Sequence, residues 1–138
     1  MAKTKKSDFQ ALAEKRIREA RLLLAANEPD GAYYVGGYAV ECAIKACIIK
    51  KLSTSDEWPD RNFSELCYKH ELVVLLQLAD LETPMQGVPG VLVKWGKVMP
   101  WRETSRYELG RTVGVVKDFL DAIDDPTNGV LTWLKGIW

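Results

Sequence analysis

The segment from Asp30 to about Leu52 is the longest apolar stretch of this chain, and its pattern is that of a helix covered on two sides. At 3.6 residues per turn, its small and aliphatic side chains fall on two neighbouring faces. One face carries Ala32, Val35, Gly36, Ala39, Ala43 and Ala46, and the other carries Tyr33, Gly37, Val40, Ile44 and Ile48. A helix buried on both faces needs other helices against it, so the segment predicts the central helix of an all-α domain.

A polar line separates these two apolar faces and forms the polar edge of the predicted helix. It consists of Tyr34, Tyr38, Glu41 and Lys45, at spacings of four, three and four residues. Glu41 precedes Lys45 by four residues, which is the favourable orientation for an ion pair on one helix. Two interpretations stay open: a solvated edge with one salt bridge, or a carboxylate held in a cleft beside a phosphate-binding surface.

Two adjacent glycines, Gly36 and Gly37, lie inside the same predicted helix. Each costs up to about 1 kcal/mol relative to alanine at a helix interior position. Their presence therefore predicts that another backbone passes close to the helix at this point, either from a neighbouring helix or from a symmetry mate.

Length and charge narrow the classes of function. With 138 residues the chain fits a single domain, residues 1–138, that can bury a real core. Its 19 basic and 19 acidic residues give a formal net charge of +0, so no overall field draws it to nucleic acid or to an anionic membrane. Basic residues are in excess within 1–21 and 94–111, and any polyanion is expected to bind there.

Cysteine usage and hydropathy predict a soluble protein of the cytoplasm. The three cysteines are an odd set in a chain without a signal-peptide pattern, which predicts reduced thiols. The longest candidate membrane span, residues 32–49, contains Glu41 and Lys45, and these charges are costly in hydrocarbon. We therefore predict a buried helix and no membrane partner.

Helical spacing and helix-ending residues predict a bundle of about five helices. No segment alternates convincingly with period two, so no sheet is expected. "DLETPMQGVPG" breaks the helical pattern, and "WRETSRYELG" is predicted as an ordered connector or distorted turn. The first two predicted helices run from Ser7 to about Asn27 and from Asp30 or Gly31 to about Leu52. The next two run from Ser64 or Lys69 to Ala79 and from Val91 to Met99, where Pro100 ends the helix. The fifth runs from Thr112 to Asp124, and a last short helix follows with Pro126 in its first turn.

The run "DGAYYVGGYAVECAIKA" resembles the HEPN family (higher eukaryotes and prokaryotes nucleotide-binding domains). "RIREARLLLAANEP" before it, and "KHELVVLLQLA" and "WRETSRYE" after it, extend the resemblance over nearly the whole chain. "GYAVECAIKA" is its most specific part. The resemblance implies an up-and-down helical bundle that is usually a homodimer. It also implies a prokaryotic toxin–antitoxin, phage-defence or nucleotidyltransferase-partner setting. No cofactor is predicted.

Many HEPN proteins are metal-independent endoribonucleases that carry an arginine, four to six intervening residues and a histidine across a dimer cleft. In this chain the single histidine, His70, follows its nearest preceding arginine, Arg61, with eight residues between them. No histidine follows Arg102, Arg106 or Arg111. The ribonuclease signature of the family is therefore absent as written.

The late-chain segment "WRETSRYE" supplies the remaining candidates for a catalytic site. Its Arg106 and Tyr107 look like the arginine–tyrosine pair of the branch that this sequence resembles. In an endoribonuclease, Arg102 and Arg106 would stabilise the phosphorane. Glu41 or His70 would take the 2′-hydroxyl proton, and a tuned Glu41 or Tyr107 could act in a site without histidine.

A nucleotide-binding site is the second prediction for these residues. Trp101 resembles the tryptophan of the same family branch and would stack on a base while Arg106 holds phosphate. Tyr34, Tyr38 and Lys45 of the predicted central helix would line the same cleft.

The alternatives for these side chains are structural. Arg106 could pair with Glu41 as a latch between packed helices, and His70 could cap a helix or hydrogen-bond to backbone. Cys67 and His70 have a spacing that suits a metal ion, but no second pair of ligands completes a tetrahedral site, so no metal is predicted.

Three functions remain open at this point. The first is a HEPN-like module that binds nucleotide or RNA, or a nucleotidyltransferase-type partner protein. The second is a metal-independent endoribonuclease toxin with a degenerate active site. The third is a purely structural dimerisation module, in which substitutions of Arg106 and Glu41 destabilise the fold and change no ligand binding.

Overall fold

A computed structural model describes residues 4–52 and 70–138 of the chain. Those ranges contain seven α-helices, one 3₁₀ helix at Glu103–Tyr107 and no β-strand, which confirms the all-α prediction. The helices are α1 (Lys6–Ala25), α2 (Pro29–Leu52), α3 (Leu72–Leu78), α4 (Glu82–Gln86), α5 (Pro89–Val98), α6 (Val113–Asp124) and α7 (Val130–Lys135).

Helix α2 is the centre of the bundle, as its two apolar faces predict. Residues 26–28 connect it to α1, which packs along it, and α3, α6, α7 and the 3₁₀ helix also pack on it. By length and composition α2 could cross a membrane, with a mean hydropathy of 1.2 over its most apolar window. However, 78% of that window is buried inside the bundle. This burial is typical of the core helix of a water-soluble protein.

Three of the predicted helices, α1, α2 and α6, begin and end within two residues of their expected positions. Helix α5 ends at Val98, just before Pro100, as expected. Helix α3 ends at Leu78, while both predicted starts of this helix, Ser64 and Lys69, lie outside the described residues.

Two short elements near proline differ from the predictions. Helix α4 occupies a stretch predicted to be a break, because Pro84 lies in its first turn, where no backbone donor is needed, and Met85 is buried. The last helix begins at Val130 rather than around Pro126. The Asp125 carboxylate accepts hydrogen bonds from the backbone N–H groups of residues 127 and 128, which holds a turn before α7.

The two glycines of α2 are approached by side chains rather than by the backbone that the sequence predicts. A Cβ at Gly36 would overlap the end of the Leu120 side chain, and a Cβ at Gly37 would overlap the indole of Trp101. The glycines therefore let α6 and the segment before the 3₁₀ helix seat large side chains directly on α2. This contact sets the position of the 3₁₀ helix, which carries several candidate site residues.

Candidate functional site

The polar line of α2 faces the 3₁₀ helix and the residue that precedes the start of α3. Three parts of the chain that are distant in sequence therefore meet at one place. Helix α2 supplies Tyr34, Tyr38, Glu41 and Lys45, the chain before α3 supplies His70, and the segment around the 3₁₀ helix supplies Trp101, Arg102, Glu103, Arg106 and Tyr107.

Glu41 and Lys45 form the predicted ion pair, with 3.0 Å between Lys45 Nζ and Glu41 Oε2. The interpretation of this edge as solvated is wrong for these two residues, because Glu41 is only 2% exposed and Lys45 is also buried. A buried carboxylate loses its hydration, so it needs close partners. Glu41 Oε2 has a second one in His70 Nδ1, at 3.0 Å, whereas Glu41 Oε1 is buried without a hydrogen-bond partner in the described structure.

Among the described residues, the partners of His70 are two carboxylates. Its side chain is 39% exposed, its Nδ1 faces Glu41, and its Nε2 lies 3.2 Å from Glu103 Oε2. A neutral imidazole carries a hydrogen on only one nitrogen, whereas an imidazolium carries one on each. Only the protonated form of His70 can therefore donate to both carboxylates at once.

A second charged pair lies beside the contact between His70 and Glu103. Glu71 Oε1 is 3.2 Å from Arg102 Nη1, and both side chains are exposed. The dipeptides His70–Glu71 and Arg102–Glu103 thus face each other, with His70 opposite Glu103 and Glu71 opposite Arg102. Glu71 and Glu103 were not among the predicted site residues, and the only sequence signal for them is this pair of complementary dipeptides.

Trp101 does not lie where a base could stack on it, so its predicted role is corrected. It is 1% exposed, because its indole fills the space above Gly37. Its ring centroid is 6.1 Å from that of Tyr34, and its Nε1 is buried with no hydrogen-bond partner in the described part of the chain. Trp101 therefore positions the segment that follows it and presents no free face.

Arg106 and Tyr107 form the exposed end of the site. The Arg106 guanidinium lies 4.9 Å from the centroid of the Tyr107 ring, and Tyr107 is 76% exposed. The pKa of Arg106 is raised by interaction with the Tyr107 side chain and then with that of Tyr34. The predicted latch to Glu41 is wrong, because the partners of that carboxylate are Lys45 and His70.

Arg106 differs from its neighbours in having no carboxylate within ion-pair distance among the described residues. Arg102 pairs with Glu71, and Arg111 pairs with Glu108 while its guanidinium lies over the Tyr33 ring. Within residues 4–52 and 70–138 the partners of Arg106 are the aromatic side chains of Tyr107 and Tyr34, and no carboxylate there compensates its charge. An exposed guanidinium of this kind can bind an anion bidentately.

Tyr34 and Tyr38 of α2 form a partly buried aromatic pair, and Tyr34 is the member that lies next to Arg106. The rings of Tyr34 and Tyr38 are nearly parallel, with an interplanar angle of 9° and centroids 6.5 Å apart. Burial, followed by the adjacent Cys42 thiol, raises the pKa of Tyr38 to about 12. The Tyr38 hydroxyl is therefore protonated at neutral pH and is unsuited to act as a base.

Metal and thiol chemistry find little support in the described residues. No group of three or more His, Cys, Asp or Glu side chains in 4–52 and 70–138 is arranged to hold a metal ion, and Cys67 lies outside those ranges. Burial raises the pKa of both Cys42 and Cys47 to about 12, which makes them unreactive thiols in the core.

The chain was compared with protein-family models, with curated proteins and with solved structures, and none of them matches it. The resemblance to the HEPN family therefore stays a prediction from the sequence.

Proposed function

We propose that this protein is a cytoplasmic HEPN-like module that binds a nucleotide or RNA, with Arg106 holding a phosphate and the Tyr107 ring stacking on a base. The observation that carries the proposal is the exposed Arg106 guanidinium, which is flanked by tyrosines and has no carboxylate partner in the described structure. Guanidinium groups match phosphate geometry, and exposed aromatic rings accept any base.

In this proposal the other site residues have supporting roles. Tyr34 lies next to Arg106 and is backed by the Tyr38 ring, and Trp101 fixes the segment by packing on α2. Lys45 acts through Glu41, because it is buried against that carboxylate. The biological setting follows from the sequence resemblance: a homodimer in a prokaryotic toxin–antitoxin or defence system, acting with a nucleotidyltransferase-type partner protein.

The first test is binding of a fluorescein-labelled 12-nucleotide single-stranded RNA, measured by fluorescence anisotropy, with ATP as a competitor. We expect Arg106→Ala and Tyr107→Ala each to weaken binding about tenfold, the scale of one lost stacking or phosphate contact. Neither change should alter the unfolding midpoint in urea, because both side chains are exposed.

The matched control for this test is Arg18→Ala, which removes an exposed arginine from α1, on a different element. An equal loss of affinity in the Arg18 variant would mean that the RNA is held by diffuse positive charge and would contradict the proposed site. Absence of binding by the wild-type protein would favour a purely structural dimerisation module.

A second candidate function is a metal-independent endoribonuclease. The observation in its favour is His70, a half-exposed imidazole whose Nδ1 is oriented by the buried carboxylate of Glu41. A carboxylate that orients an imidazole is the usual support of a histidine general base. Cleavage of a mixed RNA pool in EDTA, lost in a folded His70→Gln variant, would establish this activity. Binding without cleavage would leave the binding module as the function.

A further inference from the structure

We propose that His70, Glu71, Arg102 and Glu103 form a clasp whose strength depends on pH, and that this clasp positions the 3₁₀ helix carrying Arg106 and Tyr107. It consists of two side-by-side contacts, from His70 to Glu103 and from Glu71 to Arg102, each 3.2 Å long. Both contacts join the start of α3 to the start of the 3₁₀ helix. The inference concerns this junction itself and holds whether or not Arg106 binds an anion.

The proton on His70 decides the strength of the clasp. Glu41 Oε2 lies 3.0 Å from Nδ1 and Glu103 Oε2 lies 3.2 Å from Nε2, so both nitrogens face an acceptor. A neutral imidazole can donate to only one of them and presents a lone pair to the other. Imidazole is the side chain that exchanges its proton near neutral pH. The clasp is therefore closed at acidic pH and loosens as the pH rises.

The two carboxylates are not equivalent, which determines the contact that fails first. Glu41 is buried, and Lys45 lies 3.0 Å from the same oxygen that accepts from His70. Glu103 is on the partly exposed side, where water can replace the imidazole. A neutral His70 with its hydrogen on Nδ1 therefore retains the hydrogen bond to Glu41 and loses the one to Glu103.

Several charged groups lie around His70 on the elements packed against it. Lys45 on α2 disfavours an added positive charge, while Glu41 and Glu103 favour it from opposite sides. Arg102 and Glu71 are paired with each other and contribute opposite charges at the same edge.

The clasp acts on Arg106 through a short stretch of backbone. Arg102 and Glu103 begin the 3₁₀ helix, and its hydrogen bonds run from Ser105 N–H to the Arg102 carbonyl and from Glu108 N–H to the Ser105 carbonyl. Releasing Glu103 frees the first turn of this helix. The position of Arg106, one turn later, then depends on the Trp101 contact, on the Tyr34 side chain and on the Asp30 anchor after the helix.

Amide hydrogen exchange measured by NMR on the ligand-free protein tests the clasp directly. After correction for the intrinsic effect of pH, we expect protection of the Ser105 and Glu108 amides to fall about fivefold between pH 6 and pH 8, the scale of one partly exposed ion pair. The amide of Val116, which donates to Thr112 within α6, is the internal reference and should not change.

Two variants separate the clasp from other effects of pH. In Glu103→Gln, which keeps His70 and its contact with the buried carboxylate, protection should be low already at pH 6 and should not vary with pH. His70→Gln should behave in the same way, while the Val116 amide reports whether it folds. The proposal would be overturned if, in the wild-type protein, the protection of these amides at pH 6 and pH 8 differed by less than twofold. A fivefold fall that persists in Glu103→Gln would overturn it as well.

Discussion

At the scale of single residues, the contact between Gly37 and Trp101 has the clearest consequence. The indole lies where a Cβ would be, so Gly37→Ala forces the tryptophan or the helix to move. We expect this substitution to lower the free energy of unfolding by about 1–3 kcal/mol, the usual cost of overpacking a core. Urea denaturation followed by circular dichroism measures it.

The control for this substitution is Gly96→Ala on α5. Gly96 lies in a helix, is exposed, and has no atom within 4 Å of the position that a Cβ would take. Alanine there should stabilise the protein by up to about 1 kcal/mol, because it favours the helix and meets no neighbour. Equal stability of the Gly37 and Gly96 variants would argue against the close packing of Trp101.

The sequence predicts some of these residue contacts and misses others for a physical reason. The pair of Glu41 and Lys45 follows from a spacing of four on one helix, which is local information. The glycines predict a close approach, but the partner is a side chain that arrives from a segment more than sixty positions later. The burial of Trp101 depends on that path, which local patterns do not contain.

At the scale of elements, Asp30 at the start of α2 anchors the connection between the 3₁₀ helix and α6. Its carboxylate accepts hydrogen bonds from the backbone N–H groups of Arg111, at 2.9 Å, and Gly110, at 3.0 Å. These two bonds, that of Arg111 first, hold the pKa of Asp30 below its usual value of 3.8. The N-terminus of one helix thereby fixes a loop that is distant in sequence.

The pH dependence of this anchor follows from the lowered pKa. A carboxylate with a folded pKa below its unfolded value stabilises the folded state at neutral pH, and this contribution is lost as the pH falls through the folded pKa. We expect the amide resonances of Gly110 and Arg111 to shift together below pH 3.8. In Asp30→Asn that acid transition should be absent, and its persistence would assign the titration to another carboxylate.

The long helices could be predicted from the sequence more accurately than the short ones. Long amphipathic helices such as α1 and α6 carry a full pattern, and Thr112 caps α6 by accepting from the Val115 N–H. Helix α4 has five residues, too few for a period to emerge, and tertiary burial of Met85 decides its conformation. The start of α7 depends on the turn made by Asp125. The dipeptide Asp-Pro is compatible both with such a turn and with the first turn of a helix.

At the scale of the whole molecule, the candidate site exists only because the fold joins three distant parts of the chain. Sequence analysis identified the α2 members because polar residues interrupt an apolar pattern, and it took Trp101, Arg106 and Tyr107 from the family resemblance of "WRETSRYE". The sequence did not indicate which of these residues are buried and which are exposed. Glu41 and Trp101 are inside, His70 and Glu103 lie at the boundary, and Arg106 is outside. That order depends on how the 3₁₀ helix lies across α2.

Charge at the molecular scale leads to an expected salt dependence of RNA binding. The formal net charge is +0, so no long-range field contributes and affinity rests on local contacts with phosphate. For single strands the slope of log affinity against log salt is about −0.7 per phosphate neutralised. One phosphate bound at Arg106 gives a slope of about −0.7. If Arg102 breaks its ion pair with Glu71 and binds a second phosphate, the total slope is about −1.4.

Binding measured by anisotropy from 50 to 300 mM KCl, a range of roughly sixfold in salt, would give this slope. Arg106→Ala should reduce it by about 0.7, whereas Arg18→Ala should leave it unchanged, because Arg18 lies on α1 and outside the site. A slope steeper than about −3 would require four or more phosphate contacts and would point to the lysines and arginines of residues 1–21 as the binding surface. The charge balance of the chain thus makes one slope a measure of whether Arg106 is the centre of the site.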